Sequence, residues 1–122
     1  MKKITYRHLK RDELLEASRL FLRSFNHLRK KNNRATHDEK ITEVSPFFIH
    51  IYKTDGGGFW GAFDGGKMIG FGQAILRGKQ WYLADLFVAP RSQTRGVGSE
   101  LLKRCLKYGK GKADSYSLCT FS

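Results

Sequence analysis

The sequence predicts an α/β domain that contains a mixed β-sheet, and three observations support this class. The chain of 122 residues fits a single domain, residues 1–122, and 40% of it is hydrophobic, which is typical of a folded globular protein. Three segments repeat their apolar residues at helical spacing, whereas three adjacent segments in the middle of the chain are β-prone and separated by turn residues. A last β-prone segment follows a helix, which favours a parallel crossover connection.

The first half of the chain is predicted to contain one strand and two helices. Apolar and polar residues alternate over residues 3–8, which indicates a strand. Apolar residues recur three or four positions apart over residues 12–29, which predicts an amphipathic helix. Residues 29–42 are polar and aperiodic and are predicted to form a loop. The apolar spacing over residues 46–52 predicts a short second helix, which ends before a run of three glycines.

The second half is predicted to form three antiparallel strands, a helix and a final strand. The β-prone runs cover residues 59–63, 67–76 and 80–88, and short turns that contain glycine join them as hairpins. Helical spacing predicts a third helix over residues 97–108, and residues 114–121 are again β-prone. The predicted order is therefore β-α-α-β-β-β-α-β.

The charge of the chain limits the partners that it is expected to bind. The net charge is +12, and the excess of basic residues is the same in both halves of the chain. An anionic ligand is therefore expected, with phosphate as the first candidate. A basic nucleic-acid-binding module is an alternative that this charge favours, but the even distribution and the lack of an aromatic-basic motif argue against nucleic acid.

Three features of the sequence bear on the location of the protein, on metal binding and on membrane association. They are the cysteines, the histidines and the length of the apolar runs. Cys105 and Cys119 form no CxxC pair, which is typical of a reducing compartment, and a cytoplasmic location is expected. The four histidines show no ligand spacing, so no metal is expected. No apolar run approaches the roughly 18 residues of a membrane span, so no membrane association is expected either.

The junction between the strand at 80–88 and the third helix is predicted to bind an anion. Gly96 and Gly98 have no side chains to block a ligand, so backbone N–H groups at the start of the helix can converge on an anion. The positive end of the helix dipole favours the same charge. Residues 77–112 carry nine basic side chains and two acidic ones, which suits a ligand with several phosphates, such as a pyrophosphate.

Two other phosphate-binding motifs are rejected on physical grounds. Residues 61–68 nearly match a P-loop, but Met68 has no hydroxyl for magnesium, and the segment lies between two predicted strands. Residues 96–98 begin like a dinucleotide-binding fingerprint, but Leu101 occupies the position of the third glycine.

The pattern Gln93-x-Arg95-Gly96-x-Gly98, which follows a β-strand, closely resembles the acyl-CoA-binding signature of the GNAT superfamily of N-acetyltransferases. The predicted order of elements is similar to that family over almost the whole chain, although Thr94 stands where many members have glycine. The resemblance implies acetyl-CoA as cosubstrate and direct transfer of its acetyl group to a small-molecule or peptide amine. The residues that it implies in CoA binding are Leu86, Phe87, Val88, Gln93, Thr94, Arg95, Gly96, Val97, Gly98 and Ser99.

The catalytic base is less clearly marked in the sequence. Ala84-Asp85 is similar to an acidic pair in the diamine-acetyltransferase-like branch, where the first acid is the base, but this chain has alanine there. Strand alternation places Ala84 and Tyr82 on the same face as Leu86 and Val88, with Asp85 on the opposite face. Asp85 is the candidate base, and Tyr82 is a candidate to hold a water.

The resemblance also implies elements that this sequence lacks. The family normally continues beyond the fifth strand with a helix, whose tyrosine protonates the leaving thiolate, and with two further strands. The alternative to an active N-acetyltransferase is therefore a C-terminally truncated fragment that binds CoA with reduced or absent activity. A final strand at the end of the sheet also leaves an open edge, which predicts a homodimer through that strand.

Overall fold

The structure, a computed structural model, describes residues 3–36, 40–92 and 95–118. Within these residues, five strands form one mixed sheet and three α-helices pack on it. In chain order the elements are β1 (Ile4–His8), α1 (Leu14–Lys31), α2 (Pro46–Asp55), β2 (Phe59–Asp64), β3 (Lys67–Arg77), β4 (Gln80–Val88), α3 (Val97–Lys107) and β5 (Ser115–Leu118).

The predicted fold class and element order are confirmed. The sheet order is β1-β2-β3-β4-β5; the first three pairings are antiparallel, and β4 pairs with β5 in parallel. Boundaries differ by a few residues. A short 3₁₀ turn over residues 11–13 precedes α1, and α2 ends at Asp55, directly before the run of three glycines, as predicted. The predicted end of the last strand, at residues 119–121, lies outside the described residues.

Helices α1 and α2 cover one face of the sheet, called the front face here, and α3 covers the back face. On the front face, a buried cluster joins Ala17 and Leu20 of α1, Ile51 of α2, and Phe59 and Phe71 of the sheet. The helical repeat of apolar residues on α1 accounts for this packing, because it places them along one side of the helix.

Helix α3 packs tightly against the back face because β3 has no side chain at the point of closest approach. A Cβ atom at Gly72 would lie only 2.7 Å from the Cys105 sulfur of α3. The Trp81 indole N–H of β4 donates a hydrogen bond to the Cys105 carbonyl over 3.0 Å. These contacts fix α3, and hence its N-terminus, relative to β4.

A buried carboxylate at the end of α2 ties the layers together. Asp55 is 2% exposed and accepts hydrogen bonds from the Leu76 N–H at 3.1 Å, the Arg77 guanidinium at 2.7 Å and the Tyr108 hydroxyl at 2.9 Å. Burial acts to raise the pKa of Asp55, but these hydrogen bonds and one from Thr54 outweigh it, so that its pKa lies below the ordinary value. Asp55 is therefore a satisfied structural acid.

Candidate functional site

The N-terminus of α3 has the geometry of an anion site. Gly96 has a φ of 74°, in the left-handed region that favours glycine, and turns the chain into the helix. The first helical hydrogen bond runs from the Glu100 N–H to the Gly96 carbonyl over 3.2 Å. The N–H groups of Val97, Gly98 and Ser99 precede that bond and have no acceptor within the helix, so they are available to an anion.

The end of β4 lies beside this helix start. A Cβ atom at Gly98 would meet the Val88 side chain at 3.7 Å, an ordinary van der Waals distance. The structure therefore brings together the predicted strand residues 86–88 and the predicted residues 95–99 of the loop and helix. Gln93 and Thr94, also predicted to bind the ligand, lie outside the described residues.

The backbone of β4 presents polar groups on the side away from β3. The Ala89 N–H donates to the Ile69 carbonyl over 2.7 Å, which makes Val88 and Gly70 a non-hydrogen-bonded pair. The N–H and C=O groups of Val88, and of Leu86 two residues earlier, therefore point away from β3. The Val88 carbonyl accepts a hydrogen bond from the Ser24 hydroxyl at 3.4 Å. In the described residues, the pairing of β4 with β5 ends at Leu83, so β4 extends beyond its partner.

A β-bulge in β4 changes which side chains share a face. Gln73 of β3 pairs with Asp85, but the next residue of β3, Ala74, pairs with Leu83, which leaves Ala84 as the extra residue. The prediction that Asp85 lies opposite to Leu86 holds. The prediction that Tyr82 shares a face with Leu86 is wrong, because strict alternation fails at the bulge; Tyr82 lies on the front face, as Asp85 does.

Asp85 opens into a cavity of about 780 Å³ between the front face, α1 and α2. Burial raises the pKa of the Asp85 carboxyl from 3.8 to about 6, so this acid can both accept and release a proton near neutral pH. Tyr82, which is 39% exposed, is not among the described residues that line the cavity. The apolar side chains of the lining are Phe21, Ile41, Val44, Pro46, Phe47, Phe48 and Phe71.

Gln73, the cross-strand partner of Asp85, was not among the site residues predicted from the sequence. Its side chain is 1% exposed, and neither its amide nitrogen nor its amide oxygen has a hydrogen-bond partner among the described residues. Buried amides are normally hydrogen-bonded, so an unsatisfied one next to a buried acid indicates a place for a ligand or a water. The signal was present in the sequence, because Gln73 is the only polar side chain in the apolar run 68–76.

A second, basic cavity adjoins the loop that leads into α3. It has a volume of about 980 Å³ and lies where the end of β4, the β2–β3 turn and α1 meet. Arg95 lines it and is held by an ion pair to Asp64 with an N–O distance of 3.0 Å. Lysine and arginine side chains outnumber the single carboxylate in its lining; they are Arg23, Lys30, Lys67, Arg91 and Arg95. Of this group, Arg95 was predicted from the sequence to bind CoA and Arg91 is one of the nine basic side chains of residues 77–112, whereas Arg23 and Lys67 were not predicted.

A metal site, a membrane span and a nucleophilic cysteine are not supported in the part of the chain that the structure describes. No group of three or more His, Cys, Asp or Glu side chains there is arranged to hold a metal ion. Among the same residues, no helix has the length and the apolar content that crossing a membrane requires. The Cys105 thiol lies in the back-face core, where burial raises its pKa to about 12 and makes it unreactive as a nucleophile.

Comparison with known proteins identifies one family. Residues 17–122 match the model of a family described as "Acetyltransferase (GNAT) family". No match was found among curated proteins.

The fold is similar to several solved structures. A proposed acetyltransferase from Pyrococcus horikoshii is 21% identical, with a TM-score of 0.77; the match covers 95% of this chain and 38% of that protein. The PaiA N-acetyltransferase from Thermoplasma acidophilum, solved with coenzyme A, is 18% identical, with a TM-score of 0.62 and coverages of 88% and 72%. N-acetylglutamate synthase from Neisseria gonorrhoeae, solved with coenzyme A and N-acetylglutamate, is 14% identical, with a TM-score of 0.60 and coverages of 91% and 23%.

These likenesses establish the fold. The chain spans well under half the length of the first of these proteins, and the identities are low. The glycine-lined helix start, the polar edge of β4 and the buried acid on the front face must therefore be interpreted from their own geometry.

Proposed function

The chain belongs to the acetyltransferase (GNAT) family, and we propose that it transfers an acetyl group from acetyl-CoA directly to an amine. The observation that carries the proposal is the left-handed Gly96 at the start of α3, beside the end of β4, where three backbone N–H groups precede the first helical hydrogen bond. A pyrophosphate fits such a helix start.

Acetyl-CoA is proposed to lie across β4 and the start of α3. Its pantetheine, which contains amide groups, runs along residues 86–88 of β4 and pairs with the outward backbone groups of Leu86 and Val88, while the backbone groups of Phe87 between them face β3. Its pyrophosphate rests on residues 93–99, and the basic cavity next to Arg95 supplies a favourable potential for the remaining phosphate. No metal is proposed, since backbone N–H groups and basic side chains are available to balance the phosphate charge.

Asp85 is the proposed general base. The ammonium group of the acceptor gives one proton to Asp85, and the resulting amine attacks the thioester carbonyl. The C–N bond forms while a backbone N–H at the β4 edge stabilises the oxyanion. The C–S bond then breaks, and the thiolate takes the second proton that the nitrogen loses. The products are an N-acetyl amine, CoA thiol and one proton. Tyr82, on the same face, remains a candidate to order a water.

The first test is a calorimetric titration of the purified chain with acetyl-CoA at about 0.15 M salt, where non-specific attraction between charges is partly screened. Saturable 1:1 binding in the micromolar range is expected, followed by release of CoA thiol when an amine is added. Binding without thiol release from any amine would favour the alternative of a catalytically incomplete CoA-binding fragment. If acetyl-CoA does not bind but an oligonucleotide does, with a steep dependence on salt, the proposal fails.

Self-association through β5 is a separate proposal. In the described residues β5 pairs only with β4, and two of its side chains, Tyr116 and Leu118, are 50% and 60% exposed. An apolar strand edge of this kind can pair with a second copy. Sedimentation at increasing protein concentration is expected to show a dimer that Leu118→Lys weakens; a monomeric mass at the highest concentration would contradict this.

Two further predictions rest on the sequence alone. The first is a single domain over residues 1–122. The second is a cytoplasmic location, which is expected because the two cysteines show no disulfide pattern.

A further inference from the structure

The cavity that Asp85 lines, called the front-face cavity here, indicates which class of acceptor the chain can bind. Membership of the family does not determine that class. Its walls are formed by four phenylalanines, an isoleucine and a valine from α1, α2, the segment between them and the sheet. Phe47 lies at the mouth, with 72% of its surface exposed, whereas Phe71 is buried in β3. Such a lining favours the apolar body of a ligand, and the volume of about 780 Å³ is within the usual range for a small-molecule site.

Asp85 is the polar residue that the sheet contributes to the cavity lining; Ser18 of α1 and the segment before α2, with Glu43 and Ser45, contribute the others. Gln73 lies opposite Asp85 in the β3–β4 register, on the same face, but it is not among the described residues that line the cavity. Its amide is 1% exposed and has both polar atoms unsatisfied in the described structure. A protonated amine has three N–H donors, which the carboxylate of Asp85 can accept.

The charges of the lining argue against other acceptor classes. Among the described residues that line the cavity there is no lysine, arginine or histidine to meet a carboxylate, which disfavours amino acid acceptors. The second acid of the lining, Glu43, lies on an exposed segment and not in the interior of the cavity. A polyamine would therefore have to bury its additional ammonium groups against phenylalanine side chains, at a large desolvation cost. The net charge of +12 also repels polycations.

We propose that the acceptor is a primary monoamine with an aryl or alkyl body, held with its amine against Asp85 and its body between α1 and α2. The inference rests on the proposed acetyl transfer and narrows it to one substrate class.

The test compares three probes: 2-phenylethylamine, spermidine and glutamate. Each is titrated calorimetrically into the chain with and without CoA, and initial rates of CoA release are measured with acetyl-CoA. We expect 2-phenylethylamine to bind and to give a kcat/KM at least about 100-fold above that of the other two. A preference for spermidine or glutamate, or no binding of 2-phenylethylamine to a chain that binds acetyl-CoA, would overturn the inference and leave the proposed acetyl transfer standing. If acetyl-CoA fails to bind, the proposed function fails. The direct titrations with amines then still show whether the cavity binds 2-phenylethylamine in preference to spermidine and glutamate.

Two variants separate binding from folding. Gln73→Leu removes an unsatisfied buried amide that does not line the cavity, so it is expected to raise Tm and to keep KM for 2-phenylethylamine within about threefold. A tenfold rise in KM with a raised Tm would contradict the placement of the amine against Asp85 alone. Phe47→Ser at the exposed mouth is expected to raise KM about threefold or more, whereas Leu106→Ser, at a 40% exposed position on α3, is the matched control with KM unchanged.

Discussion

Replacing Gly96 with glutamate is expected to weaken acetyl-CoA binding by about 100-fold or more. Gly96 has a φ of 74°, a conformation that costs an L-residue roughly 1–2 kcal/mol. The new carboxylate also lies at the helix start where the pyrophosphate is proposed to bind, so like charges repel at short range. Since each 1.4 kcal/mol corresponds to a factor of about ten in affinity, the two effects together account for the expected loss.

The chain provides a matched control for this variant. Gly111, in the turn between α3 and β5, has a φ of 79°, and open space surrounds the position of its missing Cβ, as it does at Gly96. Gly111→Glu therefore introduces the same charge and a similar backbone strain away from the helix start. Acetyl-CoA affinity is expected to stay within about threefold of the original in this control.

Calorimetric titration of the two variants with acetyl-CoA separates an effect of position at the helix start from an effect of backbone strain or net charge. An equal loss of affinity in both would mean that the effect comes from strain or net charge, and the anion site would have to be placed elsewhere. Retained affinity in Gly96→Glu, with a cooperative unfolding transition in both variants, would contradict the proposed position of the pyrophosphate.

The glycine turn into α3 could be predicted from the sequence, for a physical reason. The left-handed conformation at this strand-to-helix junction favours glycine, so a glycine in the sequence, Gly96, marks the position of the turn. The order of elements was also predictable, because apolar residues repeat with different periods in helices and strands. Residue-level boundaries were less predictable where no turn residue marks them: α2 ends at Asp55, before the glycine run that predicted its end, but α1 covers Leu14–Lys31 rather than residues 12–29.

The acceptor side was less predictable because it depends on contacts between distant segments. The bulge at Ala84 is a property of the β3–β4 pairing, so alternation along β4 alone placed Tyr82 on the wrong face. The cavity combines side chains from α1, α2 and the sheet, which are far apart in the chain. Gln73 is recognisable in the sequence as a polar residue in an apolar strand. Its unsatisfied amide and its position opposite Asp85 depend on the β3–β4 pairing, which the sequence does not give.

Replacing Asp85 with asparagine is expected to lower kcat by about 10²- to 10⁴-fold, the usual contribution of a general base. In the original chain, kcat/KM is expected to rise with pH as Asp85 ionises, with a midpoint near its pKa of about 6. The variant has no carboxylate to ionise and should lose this limb of the pH profile. Glu43→Gln, an exposed change in the same cavity, is the control and should keep it. A limb that survives in Asp85→Asn would assign the base to another group.

The same variant is expected to be more stable at neutral pH than the original chain. Burial raises the folded-state pKa of Asp85 from 3.8 to about 6, so the folded chain holds this proton more tightly than the unfolded chain does. That stabilisation is complete below pH 3.8 and is lost as the pH rises through about 6. Asparagine carries no charge to bury. The free energy of unfolding of Asp85→Asn, measured with urea, should therefore exceed that of the original chain by about 1–3 kcal/mol at pH 7.5 and match it near pH 4. A loss of activity together with a gain in stability is the behaviour of a residue kept for chemistry at the expense of the fold, whereas a loss of both would make Asp85 a structural residue.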